Sequence, residues 1–496
     1  MPPYTISKSD FISGAQCPLY LWLKKHRSDA CTNTETDRTD EGEAVGALAK
    51  LYFPDAVEVP LARASIMAKD TQMLLQDIPI TICEATFMSK GLSCSTDIVH
   101  YDGQVVDIIE VKSSSSVKDV QLWDLAFQAF VIRSAGYQLR SASIMHINKE
   151  YKRGAELDIH QLLKLEDKTT TVLQMATEVE AKIATLQPLC RDTLEPTVAI
   201  GPHCERPYEC PCKAYCRQLA GVPKESVFDA PGLSTAKKYE LYSRGYVALE
   251  QLRNQVGLLT PGQQATVDSM FPADDGILYI NHRRLEEFLG TIRYPLYHLD
   301  FETYQRAIPP FEQMMPYEQI PFQYSLHVQK EQLALPRHEE FLGIAGSDTR
   351  RALAERLCQD IPMGAQSIAY NRSFEASVLR RLAEIFPDLA PHLRNIAENL
   401  IDLMVPFKKK WVTSPDMHGS YSIKSVLPAL CGTPPELDYQ ALPGPHNGKE
   451  ASAAFIAMAT MTDPVEINNL RQGLLKYCGL DTMGMVCVLN KLYELV

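Results

Sequence analysis

The chain has 496 residues, enough for two to four ordinary domains. Apolar residues make up 45% and charged residues 22%, a balance that excludes a disordered or fibrous protein. The net charge is −12, so charge alone does not indicate nucleic-acid binding, although sites for divalent cations also make a chain acidic. No run approaches the roughly 18–20 apolar residues of a membrane-spanning helix, and no secretory signal is visible. We therefore expect a cytoplasmic protein that does not bind membranes.

The predicted elements of the first half alternate between helix and strand. Residues 1–56 favour two helices, and from Ile80 short β-rich runs follow one another as in a meander. The dipeptide Asp102-Gly103 between two of these runs is typical of a hairpin turn. The pattern then predicts a helix over Asp119–Ala135 that ends before a glycine, a further strand, and a long helical segment over 157–187.

A second α/β pattern begins near Tyr294-Pro295 and continues to the end of the sequence. Between the two patterns lies a stretch with helical character that Pro-Gly pairs interrupt. The sequence therefore predicts an α/β protein with three parts: a first domain over residues 1–220, a helical connector over 221–290, and a second domain over 291–496.

The first cluster of chemically informative residues lies on two predicted strands. Asp97 is in the run STDIV, and Glu110 and Lys112 are at the end of DIIEVK. Strand alternation places Glu110 and Lys112 on one face. If the two strands pair across the Asp102-Gly103 turn, both carboxylates can hold one Mg²⁺ or Mn²⁺ ion for phosphodiester cleavage. An exposed strand with alternating charges is the alternative.

The segment from Ser95 to Gly136 resembles the PD-(D/E)XK core of RecB-like nucleases. The resemblance implies a restriction-endonuclease-like fold in which Asp97, Glu110 and Lys112 are catalytic, with both carboxylates as metal ligands. It also implies that Gln128 is the glutamine of the following helix, and Asp124 shares a helical face with it.

Two positions of this motif differ or are open. Ile132 stands where the RecB-type motif prefers tyrosine. For the first acidic residue of the motif, Glu43 on the second predicted helix and Glu84 on the first strand are both candidates, and Glu43 is favoured.

Four cysteines lie close together in CERPYECPCKAYC, namely Cys204, Cys210, Cys212 and Cys216, and Cys17 lies far upstream before a proline. Thiolates are soft ligands that suit iron–sulfur clusters or zinc. Zinc bound by the four local cysteines and unconnected thiols are the alternatives to an iron–sulfur cluster. The other cysteines, Cys31 among them, follow no pattern and are expected to be buried thiols.

One N-terminal cysteine and three C-terminal cysteines around such a domain resemble the iron–sulfur nucleases, which are the CRISPR-associated RecB-like exonucleases and the AddB-type helicase-nucleases. The resemblance implies a 4Fe–4S cluster on Cys17, Cys204, Cys210 and Cys216, with Cys212 outside the ligand set. The cluster would connect the two ends of the first domain.

The second domain contains three separate acidic motifs. Asp300 and Glu302 lie two residues apart on an apolar strand, where paired acids are costly without a cation. Glu375 follows in SIAYNRSFEAS, at a predicted strand-to-helix junction. Tyr477 and Asp481 are four residues apart and therefore share one face of a helix near the C-terminus.

In this order the motifs resemble the DnaQ-like 3′–5′ exonucleases with an RNase-H-like fold, in the variant that uses a tyrosine. The resemblance implies that Asp300, Glu302, Glu375 and Asp481 bind two metal ions and that Tyr477 positions the attacking water. The family usually has aspartate at the position of Glu375.

The whole chain resembles a bacterial family known as a domain of unknown function, in which both nuclease modules share one polypeptide. The resemblance implies a nuclease with two active sites that uses Mg²⁺ or Mn²⁺ on nucleic acid, with DNA favoured over RNA and single-stranded ends as substrate. The alternatives are one active site beside a module that only binds nucleic acid, an RNase, and a redox-sensing iron–sulfur protein. Basic stretches at Lys408–Lys410 and Arg350-Arg351 are candidates for contacts with the phosphate backbone.

Overall fold

The computed structural model describes residues 5–32, 40–253, 255, 257–271, 278–434, 437–439 and 444–496. It confirms the predicted α/β class, with mixed sheets and helices along the whole chain. Within the described residues, no helix combines the length and the apolar character that crossing a bilayer requires.

The chain divides into two compact units. Unit 1 contains residues 1–226, 235–247 and 306–318, and unit 2 contains 227–234, 248–305 and 319–496. The stretch 221–290, for which a connector is predicted, is thus shared between the units. The segment 306–318, which follows Asp300 and Glu302 in sequence, belongs to unit 1.

Unit 1 contains seven strands and ten helices among its described residues. The strands are β1 (Ile6–Ser7), β2 (Val57–Glu58), β3 (Ile80–Ser89), β4 (Leu92–Tyr101), β5 (Val105–Lys112), β6 (Gln138–Ile147) and β7 (Leu163–Asp167). The helices are α1 (Lys8–Gln16), α2 (Pro18–His26), α3 (Asp40–Leu51), α4 (Ala64–Leu74), α5 (Asp119–Ser134), α6 (Ile159–Leu162), α7 (Thr169–Gln174), α8 (Ala176–Leu189), α9 (Lys213–Leu219) and α10 (Thr235–Ser243).

The sheet of unit 1 has the order β2-β3-β4-β5-β6-β7, and β1 pairs with β4. Strands β3, β4 and β5 are antiparallel neighbours, as the predicted meander requires, and β6 runs parallel to β5. The turn between β4 and β5 is at Asp102-Gly103, where the Asp102 carboxylate accepts hydrogen bonds from the amides of Gln104 and Val105. One face of this sheet packs against α1, α5 and α8 around Phe11, Phe127 and other buried apolar residues.

The long helical segment predicted over 157–187 is wrong in part, because strand β7 interrupts it. The residues LKLED alternate between apolar and charged side chains, which is the period of a strand rather than of a helix. Strand β7 pairs antiparallel with β6, with Leu165 opposite Met145. The tertiary pairing with β6 therefore decides the local structure here.

Unit 2 contains the remaining described elements. Its strands are β8 (Tyr279–Ile280), β9 (Leu296–Tyr304), β10 (Ile320–Gln329), β11 (Arg337–Leu342), β12 (Gln366–Ala369), β13 (Leu400–Asp402) and β14 (Val412–Thr413). Its helices are α11 (Pro261–Asp268), α12 (His282–Leu289), α13 (Arg350–Asp360), α14 (Ser373–Ile385), α15 (Ala390–Glu398), α16 (Val405–Lys408), α17 (Ile423–Cys431), α18 (Gly448–Met458) and α19 (Pro464–Glu494).

The main sheet of unit 2 has the order β11-β10-β9-β12-β13. Strands β11, β10 and β9 are antiparallel, and β12 and β13 continue the sheet parallel to β9. The apolar side chains Tyr297, Leu299 and Phe301 of β9 pack with helices α13, α14 and α15 on one face. Helices α18 and α19 also contact β9. The residues of β9 that alternate with this apolar set, among them Asp300 and Glu302, therefore lie near the C-terminal helix α19.

Candidate active sites

The structure brings Asp97 and Glu110 together at one end of the β4–β5 hairpin. Both residues lie one step beyond the Ile98–Ile109 pair of the antiparallel ladder. The Asp97 carboxylate accepts a 2.6 Å hydrogen bond from the amide of Val111, which fixes it beside β5. The predicted pairing of these two carboxylates across the hairpin is therefore present.

Side chains from β5 and α5 connect to Glu110 by hydrogen bonds. The Lys112 ammonium contacts Glu110 Oε1 and donates to Asp124 Oδ2 at 2.9 Å. The Gln128 amide donates to Glu110 Oε2 at 2.7 Å and to Asp124 Oδ1 at 3.1 Å. Glu110 and Gln128 are almost fully buried, at 1% and 0% exposure, so α5 holds a buried carboxylate in a fixed orientation.

A second lysine that the sequence analysis did not identify belongs to this cluster. Lys8 Nζ lies 2.9 Å from Glu110 Oε1 and 3.7 Å from Asp124 Oδ1. Lys8 is the first residue of α1, which begins with a capping box between Ser7 and Asp10. The capping box predicts a helix start, but no spacing in the sequence connects residue 8 with residue 110.

The charges of this cluster shift its pKa values in opposite directions. Burial and the neighbouring Glu110 raise the pKa of Asp97 to about 7. Burial also acts to raise the pKa of Glu110, but Lys112 and Lys8 together hold it below the ordinary value. The two carboxyls therefore differ: the lysines favour the ionised form of Glu110, whereas burial and Glu110 favour the protonated form of Asp97, and a cation beside Asp97 would favour its ionised form.

The two candidates for the first acidic residue of the motif, Glu43 and Glu84, have other surroundings. Glu43 is exposed on α3, and Glu84 on β3 forms an ion pair with Lys50 at 3.2 Å. Within the described residues, neither carboxylate has a hydrogen bond or an ion pair with the cluster around Glu110.

In unit 2, the carboxylates of Asp300 and Glu302 share one face of β9, and α19 lies beside them. Oxygens of these two carboxylates and the Cys478 sulfur lie within 4.8 Å of one another, the separation expected of ligands to one ion. The Cys478 thiol, which the sequence analysis did not assign, approaches Asp300 Oδ2 at 3.7 Å. Asp481 also lies on α19, so this helix brings a third carboxylate close to Asp300 and Glu302. Its spacing of four residues from Tyr477 places both side chains on one face of the helix.

Glu375 lies in the first turn of α14, close enough for its charge to act on Asp300 and Glu302. Its side chain is buried, and Oε2 has no hydrogen-bond partner among the described residues. The preceding loop is held by Asp402, which accepts from the amide of Asn371, a residue with a positive φ of 71°. A buried carboxylate oxygen without a donor is costly, which is consistent with a cation ligand at this position.

All four carboxyl groups of this set have raised pKa values. Burial is the main cause at each, and it raises the pKa of Glu302 and of Glu375 to about 8 and that of Asp481 to about 6. Burial and the three other acids raise the pKa of Asp300 well above its ordinary value. The charges of Asp481 and Glu375 act to raise the pKa of both Asp300 and Glu302, so these carboxyls are close enough to interact, and a shared cation would relieve the repulsion.

Two further residues, Lys424 and Tyr439, contact this acidic set. Lys424 Nζ lies 3.4 Å from the Tyr477 hydroxyl, and its positive charge acts to lower the pKa of Glu302 and Asp481. The Tyr439 hydroxyl donates a 2.6 Å hydrogen bond to Asp481 Oδ1. Lys424 lies in the sequence run GSYSIKSVLP, where the lysine is a candidate for contact with phosphate, and no motif predicted Tyr439.

The four cysteines predicted as cluster ligands lie near one another in unit 1. Burial raises the pKa of the Cys210 thiol to about 12, and the thiols of the other three, Cys17, Cys204 and Cys216, add to the increase. Among the described residues, no three of their sulfur atoms lie within 4.8 Å of one another. All four cysteines are free thiols, the ligand chemistry that both an iron–sulfur cluster and zinc require.

The prediction that Cys31 is a buried thiol is wrong, because it forms a disulfide with Cys212. Cys31 directly follows the 3₁₀ helix Ser28–Ala30, and the next residue, Thr32, donates a hydrogen bond to the carbonyl of Pro211 at 3.0 Å. This contact holds Cys31 beside Cys212. Cys212 is therefore disulfide-bonded, whereas Cys17, Cys204, Cys210 and Cys216 are free cysteines.

The basic stretches differ in their surroundings. Arg350 is buried and pairs with Asp348, and Arg351 pairs with Asp388 and Glu355. Both arginines are neutralised within the protein, which does not favour a role in phosphate contact. Lys408 and Lys409 are exposed, whereas Lys410 donates to the carbonyl of Gly262.

A family model described as a domain of unknown function (DUF2779) matches residues 297–422. This range includes Asp300, Glu302 and Glu375 but ends before Tyr477 and Asp481, and it covers less than half of the chain. None of the curated proteins is similar enough to the chain to be matched.

Proposed function

We propose that the chain is a metal-dependent nuclease that hydrolyses phosphodiester bonds in nucleic acid at two separate active sites. The observation that carries this proposal is that carboxylate oxygens of Asp300 and Glu302 lie within 4.8 Å of each other on β9, where the charges of Asp481 and Glu375 act on both of them. Carboxylate oxygens are the ligands that Mg²⁺ and Mn²⁺ prefer, and buried acids are stable as ions only beside cations. Two such ions, when bound, polarise a phosphate, activate water and stabilise the leaving oxygen.

The side chains of unit 2 have separate roles in this proposal. Asp300, Glu302 and Asp481 hold the metal ions, and Glu375 completes the set through its unpartnered oxygen. The Tyr477 hydroxyl orients the attacking water, and Lys424, 3.4 Å away, fixes the direction of that hydroxyl. The antiparallel β11-β10-β9 strands followed by the parallel β12 and β13 support an RNase-H-like, DnaQ-like exonuclease fold.

In unit 1, Asp97 and Glu110 hold an ion, and Gln128 keeps the Glu110 carboxylate in position. Lys112 and Lys8 supply positive charge beside it, where a phosphate gains negative charge during the reaction. The strand pair β4–β5 followed by helix α5, with the ExK pair at the end of β5, supports the PD-(D/E)XK nuclease fold.

The cysteine set supports a structural 4Fe–4S cluster in unit 1 on Cys17, Cys204, Cys210 and Cys216. When bound, the cluster would supply a cross-link between α2 and the segment before α9. The chain itself contributes a largely buried pocket in which Cys17, Cys204 and Cys210 are at most 6% exposed.

The test is a cleavage assay with end-labelled single-stranded and double-stranded DNA and matched RNA, in Mg²⁺ or Mn²⁺. Wild type is compared with Glu110→Gln, Asp300→Asn and the double variant, and Glu384→Gln, an exposed acid of α14, is the control. We expect each single variant to lose one product pattern, the double variant to be inactive, and DNA to be cleaved better than RNA. The absence of cleavage by wild type, or full activity of the double variant, would overturn the proposal. If either single change abolishes all cleavage, the chain has one active site and not two.

A further inference from the structure

A cavity of about 620 Å³ lies in unit 1. Its walls come from α1, α5, α8 and residues 203–207 on either side of Cys204. The volume is within the range of small-molecule and cofactor sites, which is roughly 300–1,000 Å³.

The cavity and the acidic cluster share two helices. Trp123 lines the cavity and directly precedes Asp124 in α5. Ile12 lines it from α1, one helical turn after Lys8, which corresponds to about 6 Å along the helix axis. A chain of nucleotides that places one phosphate at the acidic cluster can therefore reach the cavity with its neighbouring units.

The lining offers an aromatic ring and cations side by side. The Lys182 ammonium lies 5.0 Å from the centroid of the Trp123 ring, and Arg206 lines the same cavity. Among the described residues, neither Lys182 nor Arg206 forms an ion pair with an acid of the protein. Asp119 is the acidic residue in the lining, so the anionic part of a ligand is expected on the side of Lys182 and Arg206.

The wall formed by the segment after Cys204 is held in place by α1. The Gln16 amide donates to the carbonyls of His203 and Tyr208, both at 2.8 Å. Apolar residues, among them Ile12, Val120 and Pro207, and the side chain of His203 also line the cavity. The cavity thus combines a flat aromatic ring with two cations that form no ion pair among the described residues. Sites that bind single-stranded nucleic acid have this combination, because bases stack on the ring and phosphates pair with the cations.

We propose that this cavity binds one or two nucleotides of a single strand next to the bond cut at Asp97 and Glu110, with a base against Trp123 and phosphates on Lys182 and Arg206. The flexible Lys182 side chain moves from the ring to a phosphate when the base stacks. This inference rests on the proposed function, because it assigns the substrate of the unit 1 site.

The test measures binding of a fluorescently labelled octathymidylate to the full chain by anisotropy, in EDTA so that cleavage does not interfere. We expect Trp123→Ala to weaken binding roughly tenfold or more, which is the order of one lost base-stacking contact. Lys182→Ala and Arg206→Ala are each expected to weaken binding and to reduce the slope of log affinity against log salt by about 0.7. Lys69→Ala, at an exposed lysine of α4, is the control.

Trp123 also packs near Phe11, so the two charge variants keep the test decisive if Trp123→Ala fails to fold. Unchanged affinity and salt slope in Lys182→Ala and Arg206→Ala would overturn the assignment of the cavity. Weakened binding in these variants together with an absence of cleavage in any metal would leave the cavity assigned and refute the nuclease function, so the two failures are distinguishable.

Discussion

The hydroxyl of Tyr439 donates a 2.6 Å hydrogen bond to Oδ1 of Asp481. This bond opposes the effect of burial, and the pKa of Asp481 is about 6, whereas that of Glu302 is about 8. Asp481 is therefore the more easily ionised of these two carboxyls as pH rises. We infer that it is the first metal ligand to become available in unit 2.

Replacement of Tyr439 by phenylalanine removes this hydrogen bond and should raise the pKa of Asp481. Because a hydrogen bond to a charged group contributes about 1.5–3 kcal/mol, we expect the pKa of Asp481 in the metal-free protein to rise by about one unit or more. Nuclear magnetic resonance of the 13C-labelled aspartate carboxyl groups follows this titration, and the Asp481→Asn variant assigns the resonance. Tyr421→Phe, at an exposed tyrosine, should leave the pKa of Asp481 unchanged, and an unchanged pKa in Tyr439→Phe would contradict this role.

Lys8 is expected to contribute to catalysis in unit 1, since its ammonium lies 2.9 Å from Glu110. Lys8→Met, in the Asp300→Asn background, should lower cleavage by about 100-fold, the effect of removing one group that stabilises transition-state charge. Lys69→Met is the matched control on an exposed helix face. Full activity of Lys8→Met would show that the lysine only neutralises Glu110 in the metal-free protein.

The raised carboxyl pKa values of unit 2 predict a pH-dependent stability. Glu302 and Glu375 have a pKa of about 8 in the folded protein, against about 4.3 in an unfolded chain. Between these values the folded state binds more protons, so the free energy of unfolding contributed by these groups is present at low pH and falls as pH rises towards about 8.

In EDTA, we therefore expect Tm to decrease from about pH 5 to about pH 8, and Mn²⁺ to raise Tm most at the upper end. Thermal unfolding followed by circular dichroism measures both effects. Glu302→Gln should show a smaller decrease than wild type, because it lacks one of the titrating groups. An equal slope in the variant would refute the assignment of the effect to this site.

Local periodicity was enough to predict much of both sites. Strand alternation places Lys112 beside Glu110, and helical spacing places Tyr477 and Asp481 on one face of α19. The α/β class follows from the same patterns. These residues are close in sequence, so the geometry of a single element determines their relation.

The contributions that periodicity could not predict come from residues distant in sequence. Lys8 meets Glu110 across 102 positions, and Tyr439 meets Asp481 across 42. The disulfide between Cys31 and Cys212 also depends on chain packing that no local pattern encodes. Strand β7 shows the same limit, since its pairing with β6 overrides the helical prediction.

Substitution of a proposed cluster ligand and substitution of the disulfide pair are expected to have different effects on the bound iron. After anaerobic purification, Cys17→Ser should lose the visible absorbance of an iron–sulfur cluster and most of the bound iron, measured by elemental analysis. The double variant Cys31→Ser, Cys212→Ser should retain both, because these residues pair with each other. Bound zinc instead of iron in wild type, or loss of iron in the double variant only, would contradict the proposed ligand set.

The most direct measurement of the central claim is a Mn²⁺ titration of the metal-free protein followed by electron paramagnetic resonance of the free ion. The account predicts that wild type binds Mn²⁺ in both units, that Asp300→Asn loses the ions of unit 2, and that Asp97→Asn loses the ion of unit 1. Binding by both variants equal to that of wild type, or no binding by wild type near neutral pH, would contradict the claim that these buried carboxylates hold divalent cations.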